Sequence, residues 1–362
     1  MDMISFGTVF LELVFGQLDR LPGPGEEVFT NEFAISCGGA VTSATVAAAA
    51  GVRAGLCTKL GDDLGSQVLA EHCASAGVDL SPAARVSGPT AGITVVLNFD
   101  GDRGFVTHLP PAVSAGGMTP QDPPAVSAGG TNPHDRPEVN ERAEVERWRG
   151  VLRAHRPAWC YLHPGRWAPL FMRDARDLGC KIMLDISLGD ERERETVMEC
   201  VRLADIFVPN ADELVALTGK ADLAEAMGAA ASWDTELVVT RGAAGAVVAG
   251  RDGTVTEITR GVRNVTVRDL TGAGDSFAGA LIAALLGGAS IADAAAVGNA
   301  AGADAVGRLG GVGAVGSGGG AGWPLRPMVV KGVEVLARGT TAQDPPRAAA
   351  ARPGLPAGGR CR

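Results

Sequence analysis

Residues 269–288 read DLTGAGDSFAGALIAALLGG: Gly272, Ala273 and Gly274 precede a carboxylate, Asp275, and an apolar, helix-forming run follows without a break. Three small residues at a helix start leave successive backbone N–H groups uncovered at the positive end of the helix dipole, so the turn suits an anion such as phosphate. A carboxylate in the first helical turn then stands beside that anion, where it can accept a proton from an attacking hydroxyl. An N-capping aspartate on a buried helix with a glycine-rich entry turn is the competing reading, and it carries no chemistry. No GxxxxGK[ST] is present, and GAGDSF lacks the third glycine of a dinucleotide fingerprint, so neither of those phosphate motifs applies.

Such a turn has to be held by a framework, here expected as a strand ending at about Val267 that feeds the helix. Along the chain, short apolar runs alternate with helical ones: MISFGTVF, AVTSATVAAAAGV, RAGLCTKLG and LGSQVLAEHCASAGV, then PAWCYLH, APLFMRDARDLG, CKIMLDIS, ETVMECVRLA, DIFVPN, ADELVALTG and TELVVTRG. Continuous apolar strands followed by helices predict a mostly parallel sheet covered on both faces, with sites beyond the carboxyl ends of the strands. Residues 12–35 and 91–108 alternate polar and apolar instead, with turn signals at PGPG and DGDRG, and predict a small second sheet with one wet face, a lid.

PPAVSAGG at 110–117 recurs at 123–130 inside a Pro/Gly-rich stretch reaching about Pro137, which reads as a duplicated, flexible loop. Residues 317–362 are similarly biased and read as a disordered tail, with MVVKGVEVLA as a stray strand. A single domain over 1–316 is therefore expected.

The formal charge of −9 repels nucleic acid and anionic membrane surfaces, and the Arg-rich runs are interleaved with Glu, so neither partner is expected. Seven cysteines are scattered without metal-ligand spacing and read as reduced core thiols. With no charged-apolar-small leader and no long apolar span, a cytoplasmic protein is expected.

The segment DLTGAGDSFAGALIAALL resembles the C-terminal signature of the PfkB, or ribokinase-like, carbohydrate kinases. Further segments are similar in the same order: PGPGEEVFTNEFAISCGGAVTSATVAAAAG at 22–51, KLGDDLGSQVLAEHCASAGVDLS at 59–81, PNADELVALTG at 209–219, VVTRGAAGAVV at 238–248 and NAAGADAVGRLGG at 299–311. The resemblance implies a Rossmann-like α/β domain with a β-sheet lid, and ATP-dependent phosphorylation of a hydroxymethyl group on a sugar or sugar-like substrate. It implies Asp275 as the base and Gly272, Ala273 and Gly274 as the anion hole. Asn210 and Glu213 match the motif that organises Mg²⁺, and Thr240, Gly242, Gly245 and Asn299 the nucleotide side. Glu12, Gly38, Gly39 and Ser43 fall on the sugar side, and Asp269 and Thr271 at a monovalent-cation (K⁺) position. Asp275 with its glycine turn, Asn210 with Glu213, the 240–245 loop, and Asp269 with Thr271 also have purely structural readings as caps, turns or strand ends. The resemblance allows a homodimer through the lid.

The departures from the family pattern lie on the sugar side. An Asp is replaced by Glu12, an Asn by Ser43, and the common D-x-N is Asp185-Ile186-Ser187. A nucleoside or sugar-phosphate kinase of the same fold, and a non-catalytic sugar-binding regulator, are the alternatives that these changes keep open. A regulator has no need of Asp275.

Overall fold

The computed structural model describes residues 1–99, 102–110, 137–165, 167–187, 193–262, 264–313 and 315, with 329–330 and 333–334. Most of the duplicated insertion and of the C-terminal tail lies outside them. Val329–Val330 and Val333–Glu334, in the run MVVKGVEVLA, pair antiparallel.

The main sheet is built from short runs that are apolar on both faces: β1 (Met3–Phe6), β4 (Ala54–Cys57), β9 (Trp159–Leu162), β10 (Lys181–Leu184), β11 (Ile206–Phe207) and β12 (Glu236–Thr240). All four residues of β1, β4 and β9 are buried, as strands covered on two sides must be. These six pair in parallel in the order β4-β1-β9-β10-β11-β12, and β13 (Ala246–Ala249) and β14 (Val255–Ile258) continue the sheet antiparallel to an edge. Parallel pairing puts the ends of β9, β10, β11 and β12 along one rim. His163, Asp185, Asn210 and Thr240 stand there or within three residues of it.

Helices cover both faces. α3 (Pro137–His155), α4 (Ala168–Asp177), α5 (Arg194–Leu203), α6 (Ala211–Thr218) and α7 (Leu223–Ala230) contribute to one buried cluster, which holds Trp148, Trp167 and Phe171. α1 (Ala40–Ala49), α8 (Ala273–Leu286) and α9 (Ile291–Val306) pack on the other. A Cβ at Gly279 of α8 would collide with the backbone of Ser43 in α1. Only glycine permits helices to pack that closely, and the contact fixes where α8 begins. α2 (Leu64–Ala76) starts on Asp63, whose carboxylate accepts from Ser66 N at 2.9 Å.

The second sheet has the order β3-β2-β7-β8, from β2 (Val9–Leu18), β3 (Glu32–Gly39), β7 (Gly92–Phe99) and β8 (Asp102–His108). Its alternation has two-residue period, so one face carries Val14, Ala34 and Val96, which close against Leu309 of the main body. The opposite face carries Leu13, Phe15, Phe33, Ile35, Ile93, Val95 and Val106, several of them exposed. A two-stranded sheet of β5 (Lys59–Leu60) and β6 (Ala84–Arg85) completes the set.

The strand expected to end at about Val267 is not formed. Residues 264–267 are irregular, Val267 is exposed, and Arg268 N and Asp269 N both bond Val306 O, at the last residue of α9. The carbonyl at a helix C-terminus has no partner within its helix, and it captures these amides before they can join a sheet.

Candidate active site

α8 begins on Gly272, which holds a left-handed φ of 72° and presents no side chain to cap the helix. A Cβ there would lie 2.6 Å from Gly311 Cα, so both the torsion and the space demand glycine. Two positions on, Gly274 is exposed, and a Cβ on it would meet nothing within 4 Å. The helices α2, α6, α7 and α9 are instead capped by the side chains of Asp63, Asn210, Asp222 and Ser290. No side chain caps these amides; Ala273 N makes a long bond, 3.4 Å, to Leu270 O, and the open space beside Gly274 at the positive end of a 14-residue helix fits a phosphate group.

Asp275 follows in the first turn, half-buried. Its Oδ1 lies 3.0 Å from the hydroxyl of Tyr161, which also bonds Asp185 Oδ2 at 2.8 Å. Tyr161 is in β9 and fully buried, Asp185 follows β10 and is buried, and His163 stands with Nε2 3.5 Å from the phenol. Burial pushes the Asp275 carboxyl up to about 6; the His163 charge opposes this, the Asp185 carboxylate adds to it, and the Tyr161 hydroxyl opposes it. A carboxylate so poised is ionised at neutral pH and still basic enough to take a proton.

Glu12 is buried in β2, and its Oε2 accepts from Gly311 N at 3.0 Å. The neighbouring amide, Gly310 N, donates to Asp269 Oδ2 at 2.7 Å, while Asp269 Oδ1 takes Thr271 N and Thr271 Oγ1. The 310–311 turn is thus tied to the second sheet through Glu12 and to the entry of α8 through Asp269. Gly38 stands where a Cβ would overlap the Glu12 carboxylate, and Gly39, with φ 74°, where one would meet Thr8 O at 2.5 Å. Ser43 is fully buried with its hydroxyl 3.0 Å from Ser5 Oγ.

Burial pushes the Glu12 carboxyl up to about 7, the Gly311 amide opposing this and the Asp269 and Asp275 charges reinforcing it. Because the folded value lies above the ordinary 4.5, the stabilisation is complete below about pH 4.5 and is lost as pH rises through about 7. Glu12→Gln, which never ionises, should therefore match the parent at about pH 4 and exceed it at about pH 8, by up to about 3 kcal/mol on this linkage. Thermal melts at both pH values check this, and a melting difference that does not change with pH would refute it.

Asn210 caps α6 in a reciprocal box: its Oδ1 accepts from Glu213 N at 2.9 Å, and Glu213 Oε2 accepts from Asn210 N at 2.7 Å. A backbone bridge joins Asn210 to Thr240 at the end of β12. Thr240 leads into the turn Gly242–Ala244, closed by Gly245 with φ 85°. Asn299 of α9 donates to Ile258 O and Arg260 O, and its amide lies 3.3 Å from where a Gly245 Cβ would be. Two groups result: Glu12, Asp269 and Asp275 at the base of the second sheet, and Thr240, Gly242, Gly245 and Asn299 on the β12–β14 side, with Asn210 beside Thr240.

The pattern of the pfkB family carbohydrate kinase matches residues 2–118 and 171–315. The chain belongs to that family. Among solved structures it resembles the ribokinase of Arabidopsis thaliana complexed with ribose and ATP, at 20% identity and a TM-score of 0.63 over 84% of this chain and 92% of that one. A fructokinase double mutant from Vibrio cholerae in a fructose-, ADP- and potassium-bound form gives 20% identity and 0.61 over 86% and 94%. The ribokinase of Thermotoga maritima gives 20% and 0.62 over 86% and 95%. No curated protein sequence matches the chain.

For a pfkB sugar kinase, the sequence motifs lead to Asp275 and its glycine turn but leave out two side chains that touch the site, Tyr161 and His163. Their signal is faint: YLH at the end of an apolar run places the two rings two residues apart, on one side of a strand end. Asp185 enters the sequence reading only as the retained first residue of a D-x-N that ends in Ser187, whereas here it shares the Tyr161 hydroxyl with Asp275. Among the described residues no helix is long and apolar enough to cross a membrane.

Proposed function

We propose that this carbohydrate kinase transfers the γ-phosphoryl group of ATP to a hydroxymethyl-type hydroxyl of a sugar, with Asp275 as general base and the amides of 272–274 as the anion hole. The observation that carries this reading is the uncapped start of α8 with open space over Gly274 and a carboxylate of raised proton affinity in the same turn. Asp275 takes the acceptor proton as the hydroxyl oxygen attacks phosphorus, and the amides stabilise charge on the equatorial oxygens. ATP would lie over Thr240, Gly242 and Gly245 with Asn299 beneath. Asn210 and Glu213 would hold Mg²⁺ through its waters, neutralising phosphate charge. Asp269 and Thr271 would serve a K⁺ ion near the anion hole.

Glu12, Gly38 and Gly39 form the sugar-side wall, with Glu12 accepting from sugar hydroxyls. Ser43, its hydroxyl turned inward to Ser5, supports that wall from behind. The Arabidopsis structure, with ribose and ATP, and the Vibrio structure, with fructose and ADP, support a small sugar as acceptor. Release of ADP from Mg-ATP, measured over pentoses, hexoses, sugar acids, polyols and nucleosides with and without Mg²⁺, tests the whole reading. Turnover of nucleosides alone would favour the nucleoside kinase, and none with any acceptor the regulator.

The second sheet serves as the lid, and its outer face is the surface for a second copy of the chain. Phe33 is 53% exposed and Val106 65%, on the same face as Ile35 and Ile93. Such a contiguous apolar face is ordinarily covered. Light scattering should report a dimer, and Phe33→Lys a monomer; an unaltered mass in the variant would remove this face from the interface.

A further inference from the structure

The phenol of Tyr161 has one proton and two carboxylates within reach, Asp185 Oδ2 at 2.8 Å and Asp275 Oδ1 at 3.0 Å. Burial raises the Tyr161 phenol well above its ordinary range, so it remains a neutral donor. If both acids are ionised, the phenol donates to one and turns a lone pair toward the anionic oxygen of the other, which is unfavourable at that distance in a buried setting. A proton on either acid removes the conflict: that acid donates to Tyr161 Oη, and Tyr161 donates to its partner.

We propose that Tyr161 is the positioning residue of this site, orienting Asp275 and carrying its proton to Asp185. The proposal rests on the reading of Asp275 as the base for its catalytic consequence, and on the hydrogen-bond geometry alone for the coupling. When Asp275 has taken the acceptor proton, its O–H donates to Tyr161 Oη while Tyr161 O–H donates to Asp185. One proton then passes from Asp275 to the phenol oxygen as the phenol proton passes to Asp185. Asp275 is again an anion, Asp185 is neutral and the phenol is unchanged. His163, half-buried and edge-on to the Tyr161 ring at 5.8 Å, stands next to the phenol. Among the described residues, the charged or titratable groups that act on Asp275 are His163 and Tyr161 from β9 and the residues after it, Asp185 from the end of β10 and Glu12 from β2.

Tyr161 is the single tyrosine of the chain, so tyrosine labelled with ¹³C at Cζ gives one resonance that reports on this hydroxyl with no substrate present. In the unmodified protein that resonance should move between pH 5 and 8 with a midpoint near 6, following Asp275. Asp275→Asn should abolish the inflection. Asp185→Asn, which removes a like charge, should move it to lower pH. A resonance that stays flat, or one midpoint shared by all three proteins, would overturn the proposal. Tyr161→Phe removes a donor to Asp275, so with Mg-ATP and an acceptor turned over in the panel its acid limb of kcat should move up by on the order of one pH unit, a tenfold change in proton affinity. KM for the acceptor should change less than twofold. An acid limb left in place would also overturn the proposal, and Asp185→Asn, with the opposite expected sign, decides the matter if Tyr161→Phe fails to fold. If the resonance behaves as expected while no acceptor in the panel is phosphorylated, the coupling stands and the assignment of Asp275 as a kinase base falls.

Discussion

Asp275→Asn should lower kcat by about 10²–10⁴, the usual worth of a positioned general base. ATP affinity should stay level or tighten, because a negative charge beside the phosphates is gone. Asn keeps the size of the side chain and can still accept from Tyr161, so the first turn of α8 is not disturbed. Its melting temperature should not fall at neutral pH, since the carboxyl it replaces is held at about 6 by burial and is disfavoured there as an anion. The parent should lose activity as pH falls through about 6, where Asp275 becomes protonated, and the variant should show no such limb. Turnover and ATP binding measured on one folded preparation decide this. Near-normal turnover would leave Asp275 as a structural residue of the helix start.

Gly274→Val should leave the fold nearly unchanged and lower kcat/KM by about 10²–10³, the cost typical of losing one oxyanion donor. A Cβ at Gly274 would meet no protein atom within 4 Å, and glycine is itself a poor helix former, so the stability change should stay within about 1 kcal/mol. The branched side chain would instead fill the volume in which the phosphoryl group is proposed to sit. Gly272→Ala makes the contrast. Its left-handed torsion and the 2.6 Å approach to Gly311 predict a loss of stability, on the order of 1–3 kcal/mol, before any effect on chemistry. Denaturant melts and steady-state kinetics on both variants separate the two roles. A folded Gly274→Val enzyme with ordinary kcat/KM would remove the 272–274 amides from phosphate binding.

The glycine turn and Asp275 are legible in sequence because their geometry is local. A helix start needs only its own few residues to expose amides, and a residue in the first turn lies beside them wherever the helix packs. The parallel sheet is legible for a similar reason: runs such as WCYL and KIML are apolar at every position, and only strands covered on both faces tolerate that. The segment before Asp269 was not legible, because β-rich residues near Val267 can serve a sheet edge or a helix end equally well. Only the position of α9 chose between them. Ser43 and Asn299 could be placed on helices, but which way each polar group turned depended on Ser5 and on the 258–260 backbone, residues at least 38 positions away.

Tyr161 shows the limit most clearly. It is 24 residues from Asp185 and 114 from Asp275, and nothing in the spacing announces a contact. The parallel register that sets Leu162 opposite Leu184 puts Tyr161 and Asp185 on adjoining strand ends, and the packing of α8 onto that face of the sheet lowers Asp275 onto the same hydroxyl. From the sequence alone came the carboxylate proposed to take a proton and the amides proposed to hold a phosphate. The tertiary structure decided how tightly that group holds its proton, because burial and the neighbouring charges that shift a carboxyl come from chain segments that meet only in the fold.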